Sequence, residues 1–244
     1  MKTILGVNLD GQNINETVDI IQDYLTTSNQ YHIATVNPEF IVDSFYNEEF
    51  KNILNKCSHN TVDGFGLTIA GLFKGYRFKR CTGVDLVNHL AIADFIQNER
   101  IFLLGGREGI GYAARRRLRQ LNSNINIVGY ESGFVNIQEP SLAEYNKILG
   151  SINQSEPTLL LVAYNAPYAQ MFIDEYLDKM PSVKVAIGIG GTFDFLVGTV
   201  KRAPKLFRMF GMEWLWRVFL QPSRIKRIYN AVFKFLYLFF RYDK

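Results

Sequence analysis

The sequence predicts an α/β fold, with a mostly parallel sheet and helices on both faces. Short β-rich runs alternate with helical patterns along the chain, and the runs of its second half end in loops rich in Gly, Asn or Pro. No repeat and no low-complexity linker breaks the pattern. In order, strands are predicted at His32 to Val36, Ile101 to Leu104, Ile125 to Gly129, Thr158 to Ala163 and Val183 to Gly188, each rich in β-branched or other apolar residues. Between them, helices are predicted at Glu39 to Asn55, Gly109 to Leu121, Leu142 to Asn153 and Ala166 to Lys179. Arg100 to Gly198 thus reads as a Rossmann-like half, in which ligands bind outside the carboxyl ends of the strands. The body is expected over residues 1–200, its part at about 1–99 continuous with a nucleotide-binding half at about 100–200. Residues 201–244 form a C-terminal basic-aromatic helical appendage.

Charge is distributed unevenly. Residues 201–244 carry 11 Lys or Arg against only Glu213 and Asp243, a net +9, which leaves −5 on the first 200 residues, where 16 bases face 21 acids. The same stretch holds Trp214, Trp216 and 12 of the 34 aromatic residues. Basic charge interleaved with bulky rings suits an anionic, greasy surface, and predicts peripheral association with the inner face of the cell membrane. A helix packed on the body, or a dimer interface, is the alternative. The most apolar run, Ile228 to Phe240, has 13 residues including Lys234, whereas a spanning helix needs about 20. Large apolar residues between the charges, and an acidic body without a continuing basic track, argue against nucleic acid as a partner. A tail that anchors the protein and completes its site fits a monomer or a small, dissociable homo-oligomer.

With 244 residues, 48% of them hydrophobic, the chain can bury roughly 70% of its unfolded surface. Met1 to Asn8 lack the long apolar run of a secretory signal, so the protein is expected in the cytoplasm. Cys57 and Cys81 lie outside any C-x-x-C and read as reduced, buried thiols. His32, His59 and His89 show no metal-ligand spacing.

Two glycine loops and one carboxylate are candidates for chemistry. Leu103 to Gly111, with Gly105 and Gly106, follows a strand and opens a helix, so a diphosphate could approach backbone N–H groups there. A tight turn without a ligand is the alternative. The spacing is not G-x-G-x-x-G, which favours a nucleotide over a dinucleotide cofactor. Gly188 to Phe195 brings Gly190, Gly191 and Asp194 to the end of the last strand, where Asp194 would accept from a base or ribose hydroxyl, or cap the next turn. Asp63, between Val62 and Gly64-Phe65, sits where partial desolvation would raise its pKa and make it a better base; an ordinary Asp-Gly turn is the alternative.

Read together, Thr35-Val36-Asn37-Pro38-Glu39, Val62-Asp63-Gly64, Arg80-Cys81-Thr82-Gly83-Val84-Asp85-Leu86, Phe102 to Gly106, Gly188 to Asp194, Lys201-Arg202-Ala203-Pro204, and Gly211 to Arg217 with Pro222 to Arg227 resemble the WecG/TagA/CpsF family of bacterial glycosyltransferases. The resemblance runs in order over nearly the whole chain. It implies an enzyme that moves N-acetylmannosamine, its uronic acid or glucose from a UDP donor onto a sugar carried by a polyprenyl diphosphate, for teichoic acid or other surface-polysaccharide synthesis. Inversion at the anomeric carbon, without a bound metal or cofactor, is implied as well. The family's proposed base aligns with Asp63, its other active-site polar residues with Thr35, Asn37 and Arg80, and its diphosphate-holding arginines with Arg217, Arg224 and Arg227. One motif departs. Where the family commonly has Gly-x-Pro-Lys-Gln-Glu, this chain reads Asn165-Ala166-Pro167-Tyr168-Ala169-Gln170. Gln170 stands one position late, and one residue on a helix turns a side chain by about 100°. A non-catalytic, nucleotide-binding assembly protein of the same fold, associated with the membrane, is the competing expectation.

Overall fold

The structure is a computed structural model that describes residues 2–204, 206–207, 213–220 and 225–243. Its centre is a six-stranded sheet of β3 (Tyr31–Val36), β4 (His59–Val62), β5 (Ile101–Gly105), β6 (Ile127–Glu131), β7 (Leu159–Ala163) and β8 (Val185–Gly188). The order is β4-β3-β8-β7-β5-β6 and every pairing is parallel. The predicted α/β class holds. A separate antiparallel pair, β1 (Thr3–Ile4) and β2 (Val7–Asn8), turns through Leu5 and Gly6, both at positive φ.

Alternate side chains of each strand enter opposite cores, as the two-residue repeat of a strand requires. Ile101 and Leu103 join Leu159, Leu161, Val185 and Ile187 beneath α1 (Ile14–Thr26), α5 (Gly83–Ile92), α6 (Ile110–Leu121) and α9 (Thr192–Leu196). On the other face, Phe102, Leu104, Leu160 and Val162 pack under α7 (Leu142–Ser155) and α8 (Tyr168–Tyr176). Ala34 and Val36 pack there under α2 (Pro38–Tyr46) and α3 (Glu48–Lys56).

Among the differences from the sequence reading, three bear on the central sheet and the helices beside it. The single helix expected from Glu39 to Asn55 is two, because Asn47 leaves helical geometry (φ −128°, ψ 98°) and its side chain caps α3 by accepting from the Phe50 N–H at 3.0 Å. The strand expected at Ile125 to Gly129 lies two residues later, with a register shift between Ile101 and Phe102. β4 was not predicted: His59, Asn60 and Thr61 are buried polar residues on an edge strand. Neighbouring backbone fences that edge. Asp10 N–H donates to Asn60 O at 2.9 Å, and Cys81 N–H to Val62 O at 2.9 Å.

The C-terminal chain continues as α10 (Glu213–Leu220), then α11 (Ile225–Tyr229), a π-helical turn over Asn230–Lys234, and α12 (Phe235–Tyr242). Phe235, Leu238 and Phe239 bury in one core with Ile4, Val36 and Phe40, and Lys74 Nζ pairs with Asp243 at 2.8 Å. The inward face of the tail is therefore a helix packed on the body, the alternative named above. Its outward face keeps Phe233, Tyr237 and Phe240 exposed. No described helix is long and apolar enough to cross a membrane.

Candidate active site

A cleft of about 360 Å³ opens at the carboxyl ends of β3, β4 and β8 and is walled by the C-terminal helices, the edge where open α/β sheets hold ligands. Thr35, at the end of β3, is buried and donates from Oγ1 to Gly188 O at 2.8 Å, tying β3 to β8. Asn37 caps α2, accepting from the Glu39 and Phe40 N–H groups at 2.9 and 3.2 Å. Asp63 leaves β4 with its N–H donating to Val36 O at 2.6 Å, so its half-buried side chain starts from a fixed backbone point beside Asn37. Arg80 completes this wall.

Facing it, Gly190 and Gly191 turn the chain from β8 into α9, and a Cβ added at either would meet no protein atom within 4 Å. The turn thus borders open space. Asp194 lines the cleft too, its Oδ1 accepting from Thr199 Oγ1 at 3.0 Å and lying 3.6 Å from Arg107 Nη2.

The third wall comes from the tail. The π-helical turn contributes Ala231 and Val232, and α11 contributes Arg227. Arg227 is forked onto Glu39, Nε to Oε1 at 2.7 Å and Nη2 to Oε2 at 2.8 Å. These bonds raise its pKa against the opposing effect of burial. Behind the pair, burial and the Glu39 charge push the Asp43 carboxyl up to about 6, with Arg227 and Lys234 opposing. The folded state therefore binds more protons than the unfolded chain between 3.8 and about 6, and stability falls as pH rises through that window. Asp43→Asn is expected to flatten this decline and to raise Tm relative to wild type at pH 8 but not at pH 4, as read by calorimetry.

A second forked pair anchors the segment after α9. Arg202 donates to Asp85 at 2.6 and 2.7 Å, and Thr82 Oγ1 donates to the same carboxylate at 2.8 Å. Burial works to raise the Asp85 pKa, but those bonds and the charges of Arg202 and Arg80 outweigh it, and the net shift is downward.

Thr35, Asn37, Asp63, Arg80, Gly190, Gly191, Asp194 and Arg227 thus share one cleft. Gly105, Gly106 and Gln170 do not line it. A Cβ on Gly105 would stand 2.8 Å from Ala163 O, and one on Gly106 2.9 Å from Ile110 Cγ2, so these glycines serve the close strand-to-helix turn. Gln170 is fully buried, its Oε1 2.7 Å from His32 Nε2, and burial lowers the His32 pKa to about 4. Arg224 and the side chain of Arg217 lie outside the described residues. Sequence reasoning did not single out Glu39, Glu213 or the apolar pair Phe65 and Ile69, all of which line the cleft. Glu39 and Glu213 lie inside motifs that carry the resemblance, and Phe65 follows Asp63-Gly64; Ile69 carries no local signal. Among the described residues, no group of three or more His, Cys, Asp or Glu side chains is arranged to hold a metal ion.

The model of the Glycosyl transferase WecG/TagA/CpsF family matches residues 2–244. The chain belongs to this family. Relatives include the N-acetylglucosaminyldiphosphoundecaprenol N-acetyl-beta-D-mannosaminyltransferases of three bacteria. That of Bacillus spizizenii is 29% identical, over 84% of this chain and 77% of the relative. That of Bacillus subtilis is 28% identical, over 93% and 86%, and that of Staphylococcus aureus is 26% identical, over 92% and 87%. As a WecG/TagA/CpsF glycosyltransferase, the protein draws the walls of its cleft from both ends of the matched range.

Proposed function

We propose that the protein is an inverting hexosyltransferase that moves a sugar from a UDP donor to a sugar on a polyprenyl diphosphate, without a metal or other cofactor. One observation carries the reading: a single cleft joins the polar set at the ends of β3 and β4 to the open glycine turn after β8 and to an arginine of the C-terminal helices. Among N-acetylmannosamine, its uronic acid and glucose, the first is favoured, because the three relatives are named for it. Their names specify a β-linked product. A UDP-sugar whose diphosphate is α-linked must then react with inversion, attack and departure occurring on opposite faces of the anomeric carbon.

Asp63 takes the proton of the acceptor hydroxyl while that oxygen bonds to the anomeric carbon. The bond from this carbon to the diphosphate oxygen breaks, and the electron pair leaves with UDP. Arg80 and backbone N–H groups of the Gly190-Gly191 turn stabilise the charge gathering on UDP. Thr35 and Asn37 hold the two strand ends at the distance the transfer needs, and Asp194 faces the nucleoside. Arg227, with Arg217 and Arg224, meets the acceptor diphosphate through charge-assisted bonds. The basic, aromatic tail keeps the enzyme at an anionic membrane surface where that lipid resides.

The test is transfer by the purified protein from a panel of UDP-sugars to a short-chain polyprenyl-diphosphate N-acetylglucosamine, with EDTA present. Addition of one N-acetylmannosamine, β-linked by NMR, is expected. UDP binding without transfer from any donor would overturn the reading in favour of a non-catalytic assembly protein.

A further inference from the structure

α4 (Phe65–Phe73) has the sequence Phe-Gly-Leu-Thr-Ile-Ala-Gly-Leu-Phe, without a charged residue. Leu67, Ala70 and Gly71 face the core, which leaves the outer face of a surface helix to be polar. It is not: Leu72 is 62% and Phe73 68% exposed. The C-terminal helix lies alongside. A Cβ on Gly66 would stand 3.7 Å from the Phe235 ring, and the Phe73 ring centroid is 5.4 Å from that of Phe240, itself exposed. The two helices therefore present one continuous apolar strip.

One end of the strip is the cleft, where Phe65, Ile69 and Leu236 are apolar lining in the same cavity as the polar Asn37, Asp63 and Arg80. From Phe65 to Phe73 the strip runs about 12 Å along the helix axis, eight residues at ~1.5 Å each. Exposed bases, Arg77 and Lys79, follow on the α4 side. A ligand matched to this surface has a charged head in the cleft and a long, uncharged, branched hydrocarbon tail leaving it.

We propose that the face shared by α4 and the C-terminal helix is a track for the first isoprene units of the acceptor lipid. The proposal rests on the acceptor class argued above, and its chemistry agrees with the undecaprenol in the relatives' names. With the reacting hydroxyl at Asp63 and the diphosphate at Arg227, the apolar wall is the side on which the tail departs. Methyl-branched isoprene against Phe and Leu side chains removes apolar surface from water.

The experiment measures binding, so that it does not depend on turnover. With UDP present and no membrane or detergent, calorimetry compares N-acetylglucosaminyl diphosphates bearing a single prenyl group or a farnesyl chain, below any micelle-forming concentration. Wild type is expected to bind the farnesyl compound roughly ten-fold more tightly or better. The double variant Leu72→Ser, Phe73→Ser, and separately Phe240→Ser, should reduce that ratio at least about three-fold. Each protein is compared with itself, so a loss of folded material cancels. An unchanged ratio overturns the track. If the variants keep the ratio but cease to sediment with anionic vesicles, the face is a bilayer-docking surface; if they keep it and change mass in sedimentation, it is a subunit interface. Absent transfer by a wild type that still shows the chain-length ratio would sink the proposed reaction and leave the track standing.

Discussion

Asp63→Asn is expected to lower kcat by a factor of about 10²–10⁴, the range for losing a positioned general base, while the affinity for UDP stays within about two-fold of wild type. The substitution keeps the side chain's size, and the backbone N–H bond to Val36 O is retained. The charge matters beyond the proposed role as base: burial opposes, but hydrogen bonds and charge from Asp85, and then the charges of Glu213 and Asp63, raise the Arg202 pKa. A fall in kcat with little change in donor KM, read by radiolabel transfer, identifies an interaction made in the transition state. A rise in KM alone would instead make Asp63 a binding residue, and another group would have to take the proton.

Arg227→Ala is expected to reduce kcat/KM for the lipid-linked acceptor by about 10²-fold, the scale for losing one partner of a close charge pair, with donor KM changed less than about three-fold. Two effects combine. On the proposed reading the guanidinium is lost to the acceptor diphosphate, and Glu39 at the cleft and Asp43 behind it are left as neighbouring carboxylates that would repel a polyanion. The double variant Arg227→Ala, Glu39→Gln separates them. If Arg227 served only to neutralise Glu39, the double variant would recover wild-type activity; continued impairment means that the guanidinium itself meets the acceptor.

What could be read in advance follows from where the information lies. Strands such as Ile101–Gly105 and Leu159–Ala163 are continuous apolar runs because both faces are covered, and such runs are visible without neighbours. β4 escaped because His59, Asn60 and Thr61 give it no apolar run, and the bonds that hold its side chains come from outside the strand; Asn60 Nδ2, for one, donates to Asn8 O and Leu54 O. The glycines at the end of β5 and after β8 look alike in sequence, yet the first pair is packed against Ala163 and Ile110 and the second borders open space. That difference is tertiary. The Arg227–Glu39 fork joins residues 188 positions apart, and no periodicity encodes such a pairing. Likewise the run from Ile228 to Phe240 is apolar apart from Asn230 and Lys234, and only the packing of Phe235, Leu238 and Phe239 divides it into two faces.

The place of β8 bears on how the molecule is assembled. It is the last of the described strands along the chain and sits between β3 and β7, where Tyr31 pairs with Val185 across 154 residues. Without it the sheet would be two fragments, β4-β3 and β7-β5-β6, each with an edge able to pair with another chain. Closing so long a loop makes this step slow relative to local helix formation. Gly190, Gly191 and Asp194 arrive with the same strand, so this wall of the cleft and the completed sheet come into being together. A ligand that binds the cleft of the completed sheet and not its fragments, as a UDP-sugar would under the proposed function, would favour the folded chain by mass action.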